Sequence, residues 1–260
     1  MKPLQKSDWF VILAGLAGLL LFGVLGPRLY PLFGVRLQMT RDGALRAATE
    51  LVNRLVSVPE GSNVSAELRV DREQLGYLQK TFGHAKANEL ARDSIPVFTW
   101  RVKWTRPSVL EQVAYSSQEE AIQAMASKLS GELTVVLNTR GRLVGFTRME
   151  TKTAQAKRAP LDSLAARSLA HKFLIEVAAV DTSAVVPVLA AEVPRSVWGR
   201  GQHIFAWKEK RPVAGETVFH VVAVGKTGVV RYNRSFVPSE PYQVPADSGG
   251  ERIPQILFFL

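Results

Sequence analysis

The chain has 260 residues, 47% hydrophobic and 22% charged, with no cysteine and 33 Lys and Arg against 23 Asp and Glu, a net charge of +10. That balance excludes a disordered body, and the missing cysteines exclude disulfides, thiolate metal sites and Cys nucleophiles. The excess positive charge suits anionic surroundings such as headgroups, nucleic acid or acidic polymers. It is spread along the chain with no run of five or six basic residues, as on a solvated surface.

Taken in order, Trp9 to Leu25 (WFVILAGLAGLLLFGVL) carries no charge, and its seventeen residues lie at the short end of what a helix needs to cross a bilayer. Trp9 and Tyr30 stand where interfacial aromatics belong, with Lys2, Lys6, Arg28 and Arg36 beyond them. No small-x-small cleavage site follows, so residues 1–36 read as an anchor rather than a signal peptide. Basic residues flank both ends, and the positive-inside rule does not choose an orientation.

Thr40 or Asp42 can cap a helix with Leu45, Ala48, Leu51, Val52 and Leu55 on one face. Pro59, Gly61 and Ser62 break it, and a second helix starts after Asp71, with Leu75, Leu78 and Phe82 on a common side. A strand follows in which Trp100, Val102 and Trp104 alternate with Arg101, Lys103 and Thr105, giving an apolar and a cationic face. Ser117 and Glu120 form a capping box for a short helix reaching Leu129. Leu133 to Leu137 and Leu143 to Phe146 make a hairpin about Thr139, Arg140 and Gly141.

Thr151 to Pro160 is polar and basic, as in a link. Beyond it, Leu164, Leu169, Phe173, Leu174 and Val177 define another helix. The stretch HIFAWKEKRPVAGETVFHVVAVGKTGVVRYNR, His203 to Arg234, then repeats the earlier pattern. Both copies run from Phe-x-Trp with a Lys three residues on (Phe98, Trp100, Lys103; Phe205, Trp207, Lys210), through Arg-Pro and an apolar strand, to aromatic-x-Arg (Phe146, Arg148; Tyr232, Arg234). A repeat at this spacing means one supersecondary block used twice. The expected organisation is α+β: an anchor at 1–36, a first repeat with helical insertions at 37–150 and a second at 151–237. A linker with the possible start of a further membrane helix occupies 238–260.

Catalytic patterns are weak. His84, His171, His203 and His220 show no helical ligand pairing, and Glu119 and Glu120 suit the first turn of a helix. The turns at Gly141, Gly225 and Gly228 lack phosphate-loop spacing, and no serine sits in a nucleophile elbow. Tryptophans beside Arg and Lys suit base stacking, but at alternating strand positions burial against a helix is the expected use.

The segment VDREQLGYLQKTFGHAKANELARDSIPVFTWRVKWTRP, with HIFAWKEKRP and GVVRYNR, resembles the extracytoplasmic N-terminal region of some bacterial CPBP (CAAX-protease and bacteriocin-processing) intramembrane metalloproteases. In these a first membrane helix precedes a duplicated α+β region and then the protease helices. The family's Glu-Glu-x-x-x-Arg motif is absent, since Gln123 and Ala124 follow Glu119 and Glu120. Each repeat also resembles PepSY-like and cystatin-like modules, a helix on an antiparallel sheet, associated with protease regulation at membranes.

The resemblance implies a non-catalytic, membrane-anchored regulatory module without cofactor or metal, on the outer side of a bacterial cytoplasmic membrane. Its partners would be the bilayer and an intramembrane protease, in the same polypeptide or in trans. Arg101, Lys103, Lys208 and Lys210 are the expected contact surface. One alternative is the first segment of a complete protease whose catalytic helices lie beyond residue 260. Another is a tethered binder of anionic polymer, nucleic acid being the less expected partner.

Overall fold

The computed structural model describes residues 6–29, 38–56, 58, 61–105, 132–149, 159–193 and 203–238. The helix expected between Ser117 and Leu129, the linker to residue 158 and the tail from 239 lie outside them. Helix α1 (Lys6–Leu29) leads, followed by α2 (Arg41–Leu55), β1 (Asn63–Val70), α3 (Arg72–Asp93), β2 (Phe98–Thr105), β3 (Leu133–Asn138) and β4 (Leu143–Arg148). The rest comprises α4 (Ser163–Glu176), β5 (Val185–Val188), β6 (His203–Glu209), β7 (Thr217–Gly225) and β8 (Gly228–Val237). The fold is α+β, with one eight-stranded antiparallel sheet in the order β1-β2-β3-β4-β8-β7-β6-β5.

That order gives the duplication a spatial form. Each copy is a helix followed by four strands, α2-β1-β2-β3-β4 and α4-β5-β6-β7-β8. Where the repeat alone suggests two separate layers, the copies share one sheet because their last strands pair, Gly145 opposite Asn233, Phe146 opposite Tyr232 and Thr147 opposite Arg231. The strand order is thus symmetric about the β4–β8 junction. On its other side β4 packs tightly against β3, where a Cβ on Gly145 would stand 3.2 Å from the Cβ of Val136.

Both repeat helices lie on the same face and contribute to one core. Thr40 caps α2 by accepting from the Gly43 N–H at 3.2 Å, and Ala44, Ala48 and Val52 form its buried stripe. Asp162 caps α4 through the Ala165 N–H at 2.7 Å, and Ala166, Ala170, Phe173 and Leu174 face inward. Leu164 and Leu169, apolar positions that mark this helix in the sequence, are 79% and 38% exposed. Small residues one helical turn apart bring α4 close to the sheet, which turns both leucines outward. Beneath the helices lie Trp100, Val102, Trp104, Leu133, Val135, Phe146, Trp207, Val222 and Tyr232.

The β1–β2 connection of the first copy is α3, capped by Asp71 and broken at Gly83, whose φ of 75° no helix contains. Its Tyr77, Leu78, Leu90 and Ala91 pack with Phe98 and with Val213, Ala214 and Phe236 of the second copy. Tyr77 also donates to the buried Glu216. An insertion in one repeat thus braces the other.

Among the described residues α1 supplies none to the three core clusters. From Trp9 to Leu25 all its side chains are exposed. Among the described residues no helix is long and apolar enough to cross a membrane. At about 1.5 Å per residue the charge-free run spans about 26 Å, against about 30 Å of hydrocarbon.

Candidate functional site

Three features stand out: an open groove, a buried polar relay and a set of basic side chains. The groove, of about 980 Å³, runs between α4 and the strands β5 and β6. Leu164, Ser168 and His171 form the helix wall, Pro187 and Leu189 the edge-strand wall, and Phe205 and Trp207 the floor. The outward turn of α4 that exposes Leu164 creates this apolar lip. On the same wall Asp162 is engaged through Oδ1 in capping the helix. Sequence reading missed the groove because it took Leu164 and Leu169 only as apolar positions marking a helix. The signal was present in the second, alanine-based stripe at Ala166 and Ala170.

The relay lies on the helix-covered face. His220 shares hydrogen bonds with the Tyr232 hydroxyl through Nδ1 at 2.9 Å and with Glu209 through Nε2 at 3.1 Å. Arg234 donates to the same carboxylate oxygen from Nε and Nη2 at 3.1 and 3.0 Å, and from Nη1 to the Ser94 carbonyl at 3.1 Å. Burial pushes the Glu209 carboxyl up, but the His220 hydrogen bond and the Arg234 charge outweigh it and hold the group below its ordinary range. Burial pushes the Tyr232 phenol well above its ordinary range, so it stays neutral.

His220 and Tyr232 are buried, 3% and 1% exposed, while the side chains of Glu209 and Arg234 stay 22% and 23% exposed. The relay's chemistry is mutual satisfaction of buried polar groups. The matching arginine of the first copy, Arg148, donates to Thr227 at 2.6 Å. Each repeat's terminal arginine therefore reaches into the other repeat.

The four basic residues fall into two equivalent pairs, Arg101 with Lys208 and Lys103 with Lys210. Cross-strand partners run from Arg101 through Val136, Gly145, Asn233 and Val221 to Ala206, two residues before Lys208 on the same strand. Arg101, Lys103 and Lys208 thus share the sheet face turned away from α2 and α4. They form two groups, because β2 and β6 are five strand spacings apart, about 24 Å. Lys103 is paired with Glu132 at 2.5 Å. Arg101 keeps its Nε buried with no hydrogen-bond partner among the described residues. Lys208 and Lys210 are exposed, Lys210 just past the end of β6.

Among the described residues no group of three or more His, Asp or Glu is placed to hold a metal ion. The acids Glu119 and Glu120 lie outside the described residues. No protein-family model, no curated protein and no solved structure matches the chain.

Proposed function

We propose that the protein is a non-catalytic regulatory module held at a membrane by α1, its duplicated body recognising a partner on the extracytoplasmic side. The observation that carries this reading is α1 itself, exposed and uncharged on every side from Trp9 to Leu25. A helix apolar all round has no stable place in water and must be buried in protein or lipid. Its charge-free run is a few Å shorter than the hydrocarbon layer. Lys6 and Arg28 flank that run in the sequence, where long cationic side chains snorkel and local thinning absorbs the mismatch.

The body supports recognition rather than turnover. Its buried relay joins strands, and its accessible groove is apolar with the nearby acid spent on a helix cap. The two basic groups, Arg101 with Lys103 and Lys208 with Lys210, are the contact surface for headgroups or an acidic partner. The partner indicated by the resemblance of the tryptophan strands is an intramembrane protease, covalently continuous with this chain or separate from it.

Alkaline carbonate extraction of membranes from cells expressing the full chain tests the anchor. The protein stays in the pellet until detergent is added, and Leu16→Arg with Leu20→Arg moves it to the soluble fraction. Release of the unaltered chain by carbonate or salt overturns the proposal. Reversing Arg101, Lys103, Lys208 and Lys210 together tests the surface: co-sedimentation with anionic vesicles falls at least tenfold. Unchanged binding by the folded variant removes that part.

A further inference from the structure

The duplication leaves the sheet two outer edges, β1 and β5, and they are built differently. In the β5–β6 pair the Lys210 N–H donates to the Ala184 carbonyl, which sets the alternation so that Val185, Pro187 and Leu189 turn their backbone groups outward. Pro187 has no N–H, and the Leu189 N–H already donates to the Glu192 carboxylate at 3.0 Å. This edge is short and blunted.

The β1 edge is the reverse. The Asp71 N–H donates to the Val97 carbonyl, so in the β1–β2 register Asn63, Ser65, Glu67 and Arg69 bond inward. Val64, Ala66, Leu68 and Val70 turn their N–H and C=O groups outward. The strand is eight residues long and contains no proline, and among the described residues no strand pairs with its outer side. Val64 at its end is 47% exposed.

We infer that the outer edge of β1 is an interface between two copies of this chain, joined antiparallel with Leu68 opposite the partner's Leu68. In that register Ala66 meets the partner's Val70, and these positions carry the free backbone groups, each bonded pair exchanging two hydrogen bonds. On the other face Glu67 stands opposite the partner's Arg69, and Arg69 opposite the partner's Glu67.

Within one strand Arg69 already donates to Glu67 Oε1 at 2.6 Å, which leaves the second carboxylate oxygen and the guanidinium Nη groups for the partner. The four charges alternate around the axis. Moving the register so that Glu67 faces the partner's Glu67 would put like charges together at the centre, which disfavours it. In this register the charged face of the edge is self-complementary, as a twofold contact requires.

Light scattering of the full chain in detergent micelles, with variants at these two exposed positions, tests the interface. The unaltered chain runs as a dimer. Glu67→Arg and Arg69→Glu each raise the dimer dissociation constant at least tenfold, and the double variant restores it. Because the chain has no cysteine, Leu68→Cys adds an independent readout, a reducible cross-linked dimer on oxidation. A monomeric unaltered chain, single variants as dimeric as the parent, a double variant that stays weak, or Leu68→Cys that does not cross-link within a dimer overturns the inference.

Discussion

Phe146 and Tyr232, which hold the same place in the two copies of the repeat, lie directly opposite each other across β4 and β8. Phe173 of α4 covers both, its ring centroid 5.7 Å from Phe146 and 5.6 Å from Tyr232, with the rings tilted. Two chemically similar strands can pair about a twofold axis because equivalent residues then meet one another. Here the meeting is aromatic and fully buried, and a third ring seals it.

Removing the sealing ring should therefore be expensive. Phe173→Ala leaves a cavity over the seam and costs about 3–5 kcal/mol, read as a lower urea midpoint. Leu164→Ala, on the outward side of the same helix, changes stability by no more than about 0.5 kcal/mol. A large loss at Leu164 would mean that α4 is rotated from the orientation described.

The crossed arginines give a second test. Arg148→Ala removes a hydrogen bond to Thr227 and costs about 1 kcal/mol. Arg234→Ala costs more, about 2–3 kcal/mol, because it strips the partly buried Glu209 of its charge partner. The pH dependence has a defined sign. The folded carboxyl of Glu209 lies below its ordinary value of 4.5, so its stabilising contribution is present above that value and lost as pH falls through the lower, folded one. Urea titrations of Glu209→Gln should show a stability deficit at neutral pH that closes in acid below about pH 4.5. A deficit independent of pH would mean that the carboxylate charge plays no part.

Much of this architecture was legible in the sequence. The Trp strands, the turn at Gly141 and the helix starts at Thr40 and Asp71 follow from alternation, turn chemistry and side-chain oxygens that accept helix N–H groups. The two edge strands did not. NVSAELRV alternates with period two, but its Ala, Glu and Arg sit between two helices in composition that suits either state. VVPV contains a proline, which argues against a strand except at an edge, and an edge is where it lies. β8 runs on to Val237 because β7 pairs with it that far, Thr217 opposite Val237, a tertiary effect without local signature.

The site was less legible than the fold. Placing Arg101 and Lys103 on a cationic strand face needed only alternation. That Lys208 shares this face about 24 Å away depends on the β4–β8 pairing, which no local pattern encodes. The relay was hidden for a similar reason. His220, Glu209 and Arg234 come from three strands, and only the repeated aromatic-x-Arg hinted that the arginine had a fixed partner.

The central claim is that the two copies form one sheet through β4 and β8. It is tested most directly by a Thr147→Cys, Arg231→Cys double variant, since the pair lies opposite across the seam and the chain has no other cysteine. Directly opposed residues in antiparallel strands have Cα atoms about 4.5–5.5 Å apart, within disulfide range. Mild oxidation of the folded protein should give a disulfide within one chain, seen as a two-hydrogen mass loss and faster migration without reductant. Free thiols in the folded, oxidised protein would contradict the shared sheet.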